Sequence, residues 1–256
     1  MPEGFFWYDV MTTDTKAAAQ FYGDVVGWTP QPAGAPGMDY TVFNLDKTRG
    51  VAGLMPIPAD ILEKGHGPAW TGYIHVEDVS AMAARIQEEG GKLHKGPIVV
   101  PGVICFAVVS DPQGAGFLIA TPLTGLDPPP VAPTTLGAIS WHELHAADWP
   151  SAFAFYEKLF GWTKADAVDM GPMGLYQLFT ADGQTAIGGM MTKPAAIPMP
   201  YWGFYFTVDA IDAAVERVKA GGGAVLNGPH PVPGGSWIAN CRDPQGAHFS
   251  LTSGNK

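Results

Sequence analysis

FFWYDVMTTDTKAAAQFYGDVVGWT (5–29) lies over ISWHELHAADWPSAFAFYEKLFGWT (139–163), and this superposition decides the fold. At an offset of 134 residues, Trp7 falls on Trp141, Asp14 on Asp148, Phe21 and Tyr22 on Phe155 and Tyr156, and Gly27-Trp28-Thr29 on Gly161-Trp162-Thr163. Further along, the offset becomes 132. DVSAMAARIQEEGG (78–91) then covers AIDAAVERVKAGGG (210–223), and SDPQGAGFLIA (110–120) covers RDPQGAHFSLT (242–252). Self-similarity on this scale marks a duplicated structural unit. The expected domains are 1–121 and 139–256, joined by a linker over 122–138 whose four prolines between 128 and 133 suit an extended spacer.

Each half divides again into two similar modules. Residues 5–13 are rich in aromatic and β-branched side chains and predict a strand. Thr13 or Asp14 can cap the helix that follows, since a short side-chain oxygen there accepts a free backbone N–H. Ala18, Phe21, Tyr22 and Val25 fall at i, i+3, i+4 and i+7, one apolar helical stripe, and Gly27 ends it. Short strands are expected at 40–45 and 51–55. The pattern then restarts with a strand at 73–77 and a helix striped by Val79, Met82, Ala83 and Ile86. Gly90-Gly91 stop that helix, and strands near 98–109 and 115–121 close the module. Asp111-Pro112-Gln113-Gly114 carries the residues that a type I turn prefers. In the second half, Ile211, Ala214, Val215 and Val218 repeat the second stripe. The expected class is α+β, four βαβββ modules in a tandem arrangement.

Composition narrows the function. Charged residues are 15% of the 256, against a usual ~25%, while 33 Gly and 24 Pro indicate many turns. The formal net charge of −10 argues against nucleic acid, which is held through Lys and Arg on phosphate, and against an anionic membrane surface. Two cysteines, Cys105 and Cys241, make neither a disulfide framework nor a zinc site. The N-terminal residues lack the basic and apolar segments of a secretion signal, and no apolar stretch is long enough to span a bilayer. The expectation is a cytoplasmic protein, monomer or homodimer.

These features resemble the vicinal oxygen chelate superfamily, which includes glyoxalase I, bleomycin-resistance proteins and extradiol dioxygenases. The resemblance rests on the strand–Asp–helix–Phe-Tyr–Gly-Trp elements at 9–28 and 143–162, the strand–helix junction at 76–79, and the DPQG turns at 111–114 and 243–246. It is closest to the tandem, two-domain glyoxalase-like proteins. It implies that paired modules form two half-open barrel cups. It also implies one divalent metal per cup, held by His, Gln or Glu. The matching positions here are Trp7, Thr71, the stretch 51–56 and Leu118, then Trp141, Gly203, the stretch 187–191 and Ser250. None is His, Asp, Glu or Gln, and an indole offers only a donor N–H. The expectation is therefore no metal at the usual place and no cofactor.

Strand alternation nominates the residues that replace those ligands. Trp7, Asp9 and Met11 share the cup face of the first half with Tyr73, His75 and Glu77. Trp141, Glu143 and His145 share that of the second with Tyr205 and Thr207. The candidate ligand-binding residues are Trp7, Asp9, Tyr73, His75, Trp141, Tyr205 and Thr207; aromatic rings offer a large apolar surface that stacks on flat molecules. Glu143 and His145 are the candidate catalytic pair, through acid–base work by a desolvated carboxylate beside an imidazole. His142 should point the opposite way, as a structural histidine. No phosphate loop stands out, since GAPG (34–37) and GGG (221–223) fit a loop and a helix stop. The proline-rich stretches 55–70 and 190–202 fit either lids or ordered loops. Three readings follow: a metal-independent binder of a small flat or apolar molecule; a lyase, isomerase or dioxygenase of the same superfamily with displaced ligands (Glu143, His145, His248) in the second half; or a structural protein whose tryptophans fill the cups.

Overall fold

The computed structural model describes residues 4–34, 39–123 and 131–256. The first half runs β1 (Phe5–Thr12), α1 (Thr15–Val26), β2 (Thr29–Pro32), β3 (Thr41–Asn44), β4 (Gly50–Pro56), α2 (Ala59–Glu63), β5 (Ala69–His75), α3 (Val79–Glu88), β6 (Lys92–Val100), β7 (Ile104–Ser110) and β8 (Gly116–Pro122). The second half repeats it: β9 (Ile139–Ala146), α4 (Trp149–Phe160), β10 (Thr163–Asp169), a 3-10 turn at Gly171–Met173, β11 (Leu175–Thr180), β12 (Ala186–Thr192), β13 (Tyr201–Thr207), α5 (Ile211–Ala220), β14 (Ala224–Pro231), β15 (Trp237–Arg242) and β16 (His248–Ser253). The class is α+β, with four βαβββ modules. Each half contributes one eight-stranded open sheet, in the order β2-β3-β4-β1-β5-β8-β7-β6 and its counterpart β10-β11-β12-β9-β13-β16-β15-β14.

The helices form where the apolar stripe and its end signals agree. Asp14, not Thr13, caps α1, accepting from the Ala17 N–H at 2.9 Å, and Gly27 closes it at φ +90°. Such a cap stabilises a helix by roughly 1 kcal/mol. Asp148 and Gly161 do the same for α4. The stripe residues Ala18, Phe21, Tyr22 and Val25 are all buried, as are those of α3 and α5.

Three details differ from the sequence reading. The strand expected near 98–109 is a hairpin that turns at Pro101–Val103, with β6 beginning at Lys92. The loop 55–70 contains a short helix, α2, which opens after Pro58 because proline suits a helix entrance. The linker falls partly, and the GAPG loop largely, outside the described residues.

By packing, the chain forms two compact units, each drawing one module from each half. Of the described residues, one unit holds 4–6, 71–123 and 141–203. Its core is an aromatic cluster of Phe117, Tyr156, Phe160, Trp162, Phe179 and Trp202. Within it the Trp202 indole donates to the Tyr156 hydroxyl (3.0 Å), which donates to Asp111 (3.2 Å). The other unit holds 7–34, 39–70, 131–140 and 204–256, with Phe21, Tyr22, Trp28, Phe43, Trp70, Phe206 and Phe249 in its core. There the Trp70 indole donates to the Tyr22 hydroxyl (2.8 Å), which donates to Asp243 (2.9 Å). The two aspartates are the first residues of the DPQG turns; each also accepts backbone N–H groups of its own turn. Burial first, then the carboxylate charge, holds both tyrosines well above the ordinary phenol range.

Candidate functional site

Trp7 and Asp9 project from the same face of β1, and Tyr40 reaches them from just before β3. The Trp7 indole donates to the Tyr40 hydroxyl at 3.0 Å and to Asp9 at 3.2 Å, and Tyr40 donates to the same Asp9 oxygen at 2.8 Å. Asp9 is only 5% exposed, and these donors offset the cost of keeping a carboxylate there. Burial and the Asp9 charge push the Tyr40 hydroxyl well above its ordinary value. Gly53 lies opposite Asp9 in β4, and a Cβ there would collide with the Tyr40 hydroxyl and the Asp9 carboxylate. The glycine makes room for the triad.

The second half builds a related but altered site. The Trp141 indole donates to Tyr176, on β11, at 2.8 Å. Gly189, opposite Glu143 in β12, makes room for the Tyr176 ring as Gly53 does for Tyr40. Glu143 stands where Asp9 stands in the first half, but its carboxylate meets His145 Nε2 at 2.9 Å. The two side chains are only 12% and 13% exposed. The Tyr201 ring stacks on the imidazole at 4.7 Å, and its phenol is pushed up to about 12 by burial and by the Glu143 charge. His145 Nδ1 is buried with no hydrogen-bond partner among the described residues.

The remaining candidates have other surroundings. Tyr73 is buried beside Phe6 and Phe106, and His75 packs edge-on to Phe6. Tyr205 is buried and accepts from Asn240, which also donates to Ser250 at 2.9 Å. The Thr207 hydroxyl is committed to the Pro133 carbonyl and Ser140, where it fastens the end of the linker. His248 is exposed, paired in register with Arg242. His142 is buried, stacked on Phe5 and bonded through Nδ1 to the Ile187 carbonyl; burial lowers its pKa to about 4. It is a structural histidine.

Tyr40, Tyr176, Tyr201 and Asn240 escaped the sequence reading. A signal existed for the first two: DYTVFNLD (39–46) lies over LYQLFTAD (175–182) at a further offset of 136, and Gly53 and Gly189 share that offset.

The family model of the Glyoxalase/Bleomycin resistance protein/Dioxygenase superfamily matches residues 4–119 and again 138–251. The chain belongs to this superfamily. Among relatives within reach of sequence comparison, CFP32 of Mycobacterium tuberculosis is 31% identical over 249 residues, covering 96% of this chain and 92% of the relative. The anthracycline biosynthesis protein DnrV of Streptomyces peucetius is 30% identical over 264 residues, covering 96% and 91%. Solved superfamily structures confirm the fold at low identity. A Mn(II)-bound glyoxalase from Novosphingobium aromaticivorans superposes with a TM-score of 0.68 at 16% identity, covering 99% of this chain and 83% of that one. Homoprotocatechuate 2,3-dioxygenase from Brevibacterium fuscum gives 0.69 at 14%, covering 97% and 79%.

The superfamily implies a divalent metal, and the donor chemistry tests whether one fits. At the positions the superfamily uses for ligands, Trp7 and Trp141 spend their N–H groups on tyrosines, Leu118 is a buried aliphatic, and the Ser250 hydroxyl is bonded to Asn240. Among the described residues no three His, Cys, Asp or Glu side chains come together as an ion would require. These residues do not fit the group, since a hard divalent cation needs several carboxylate or imidazole ligands to offset its dehydration.

Proposed function

We propose that the protein binds a small, flat or apolar molecule against Trp7 and Trp141, without the metal of its superfamily. The observation that carries this reading is a contrast among tryptophans. Trp28, Trp70, Trp162 and Trp202 are core residues, none more than 7% exposed, and of the four partly buried tryptophans only Trp7 and Trp141 occupy matched places in the repeat, Trp149 and Trp237 having Thr15 and Cys105 as counterparts. Trp7 and Trp141 each have the indole N–H satisfied by a tyrosine, which fixes the ring and leaves its apolar surface for contact. The relationship to a protein of anthracycline biosynthesis supports the same ligand chemistry, because anthracyclines are fused planar rings.

The hydrogen-bonded Glu143–His145 pair favours a second reading, acid–base catalysis on the bound molecule. The acidic net charge fits a small-molecule partner rather than nucleic acid. Among the described residues no helix is long and apolar enough to cross a membrane. The test is titration with planar aromatic compounds, followed through tryptophan fluorescence. Binding should weaken by roughly 2 kcal/mol or more in Trp141→Ala or Trp7→Ala, as for a stacked aromatic at a binding centre. Unchanged affinity in both variants would remove these residues as the site.

A further inference from the structure

The first-half and second-half sites share a tryptophan, a tyrosine, a glycine and a carboxylate, yet they use the carboxylate differently. Asp9 accepts from both Trp7 and Tyr40, so the triad's polar atoms are turned onto one another. Glu143 is one methylene longer and bonds His145 instead, whose counterpart in the first half is Met11. An imidazole whose Nε2 faces a carboxylate carries its proton there in the neutral form, and the lone pair is then on Nδ1. That nitrogen is buried and has no hydrogen-bond partner among the described residues. A sheltered acceptor left unmade is unfavourable, and a donor brought to it recovers the loss.

We propose that the second-half site selects planar aromatic molecules bearing a hydroxyl, whose proton is donated to His145 Nδ1 when the molecule seats beside the imidazole, while the first-half site recognises the ring alone. This rests on the binding reading above and adds the class of ligand. Glu143 acts here as a positioning residue, holding the tautomer that makes Nδ1 an acceptor.

The test compares three molecules that share one naphthalene ring, at pH 8.5, by titration calorimetry with the intact protein: 2-naphthol, 2-acetylnaphthalene and the near-isosteric 2-methylnaphthalene. The expected result is that 2-naphthol gains about tenfold over the methyl compound, the worth of one recovered hydrogen bond. That gain should vanish in His145→Phe and persist in Glu88→Gln, an exposed control on α3. In wild-type protein with nitrogen-15-labelled histidine, the Nδ1 resonance of His145 should move on adding 2-naphthol and stay with the methyl compound. This readout stands if His145→Phe fails to fold. Equal affinity for all three, or a preference for the acetyl compound, overturns the hydroxyl assignment and leaves the binding reading in place. Failure of all three to bind overturns both.

Discussion

Tyr22 donates its hydroxyl proton to Asp243, 221 residues further along the chain, and Tyr156 donates to Asp111 in the reciprocal sense. The Phe-Tyr element of each half is thus completed by the DPQG turn of the other. In Tyr22→Phe the Asp243 carboxylate and the Trp70 indole each lose a buried partner. The expected destabilisation is about 1–3 kcal/mol, read from urea unfolding. Tyr156→Phe should behave alike. A loss below the error of the measurement in both would show the relays to be energetically idle.

The same reciprocity makes a single half incomplete. A polypeptide ending at residue 127 contains Tyr22 without Asp243 and Asp111 without Tyr156. Because the motifs of the two halves are equivalent, two copies can complete each other. The expected product is a homodimer in light scattering, and a stable folded monomer would contradict this account.

His142 sets a pH dependence. Its pKa falls from an ordinary 6.5 to about 4 in the folded protein, through burial. Both states are neutral above pH 6.5, so the group then costs nothing. As pH falls from 6.5 towards 4 the unfolded chain takes up the proton and the folded one does not, removing about 3 kcal/mol by the lower end of that window. His142→Phe leaves the Ile187 carbonyl without its partner and lowers stability at neutral pH, but its melting temperature should decline less steeply between pH 6.5 and 4. Parallel curves for the two proteins would exclude this origin.

Gly189→Ala should disturb the second site specifically. The new methyl group must push the Tyr176 ring aside, breaking its bond to Trp141. The expected outcome is altered Trp141 fluorescence and weaker binding of planar ligands with the fold retained by circular dichroism. Gly203→Ala is the contrasting control, since a Cβ there meets its neighbours at ordinary contact distance, 3.6 Å or more.

For metal, protein purified without a histidine tag should contain far less than one equivalent of Mn, Fe, Ni or Zn. Adding these ions should leave its melting temperature unchanged, because binding to the folded state alone raises stability. Stoichiometric metal lost in Glu143→Ala or His145→Ala would instead support the superfamily enzyme with displaced ligands.

The modules were legible because helix stripes and caps are local: Asp14, Gly27 and the Ala18–Val25 spacing act within a few residues. The sheet faces carrying Trp7 with Asp9, and Glu143 with His145, followed from simple alternation. Partners brought from other strands were not legible, because a ring such as Tyr201 or Tyr176 is placed by pairing register rather than by its neighbours in sequence. Thr207 shows the converse. Alternation nominated it for the cup, but its hydroxyl is bonded to the Pro133 carbonyl of the linker and to the Ser140 hydroxyl of β9.

The exchange of partners between Tyr22 and Asp243, and between Tyr156 and Asp111, also bears on how a duplicated gene can change. A substitution in either tyrosine or either aspartate removes a partner from an element of the other half as well as from its own. The Trp7 and Trp141 sites are each built from residues of one half of the chain. Each can therefore carry its own polar group, and Glu143 and His145 stand where the first half has Asp9 and Met11.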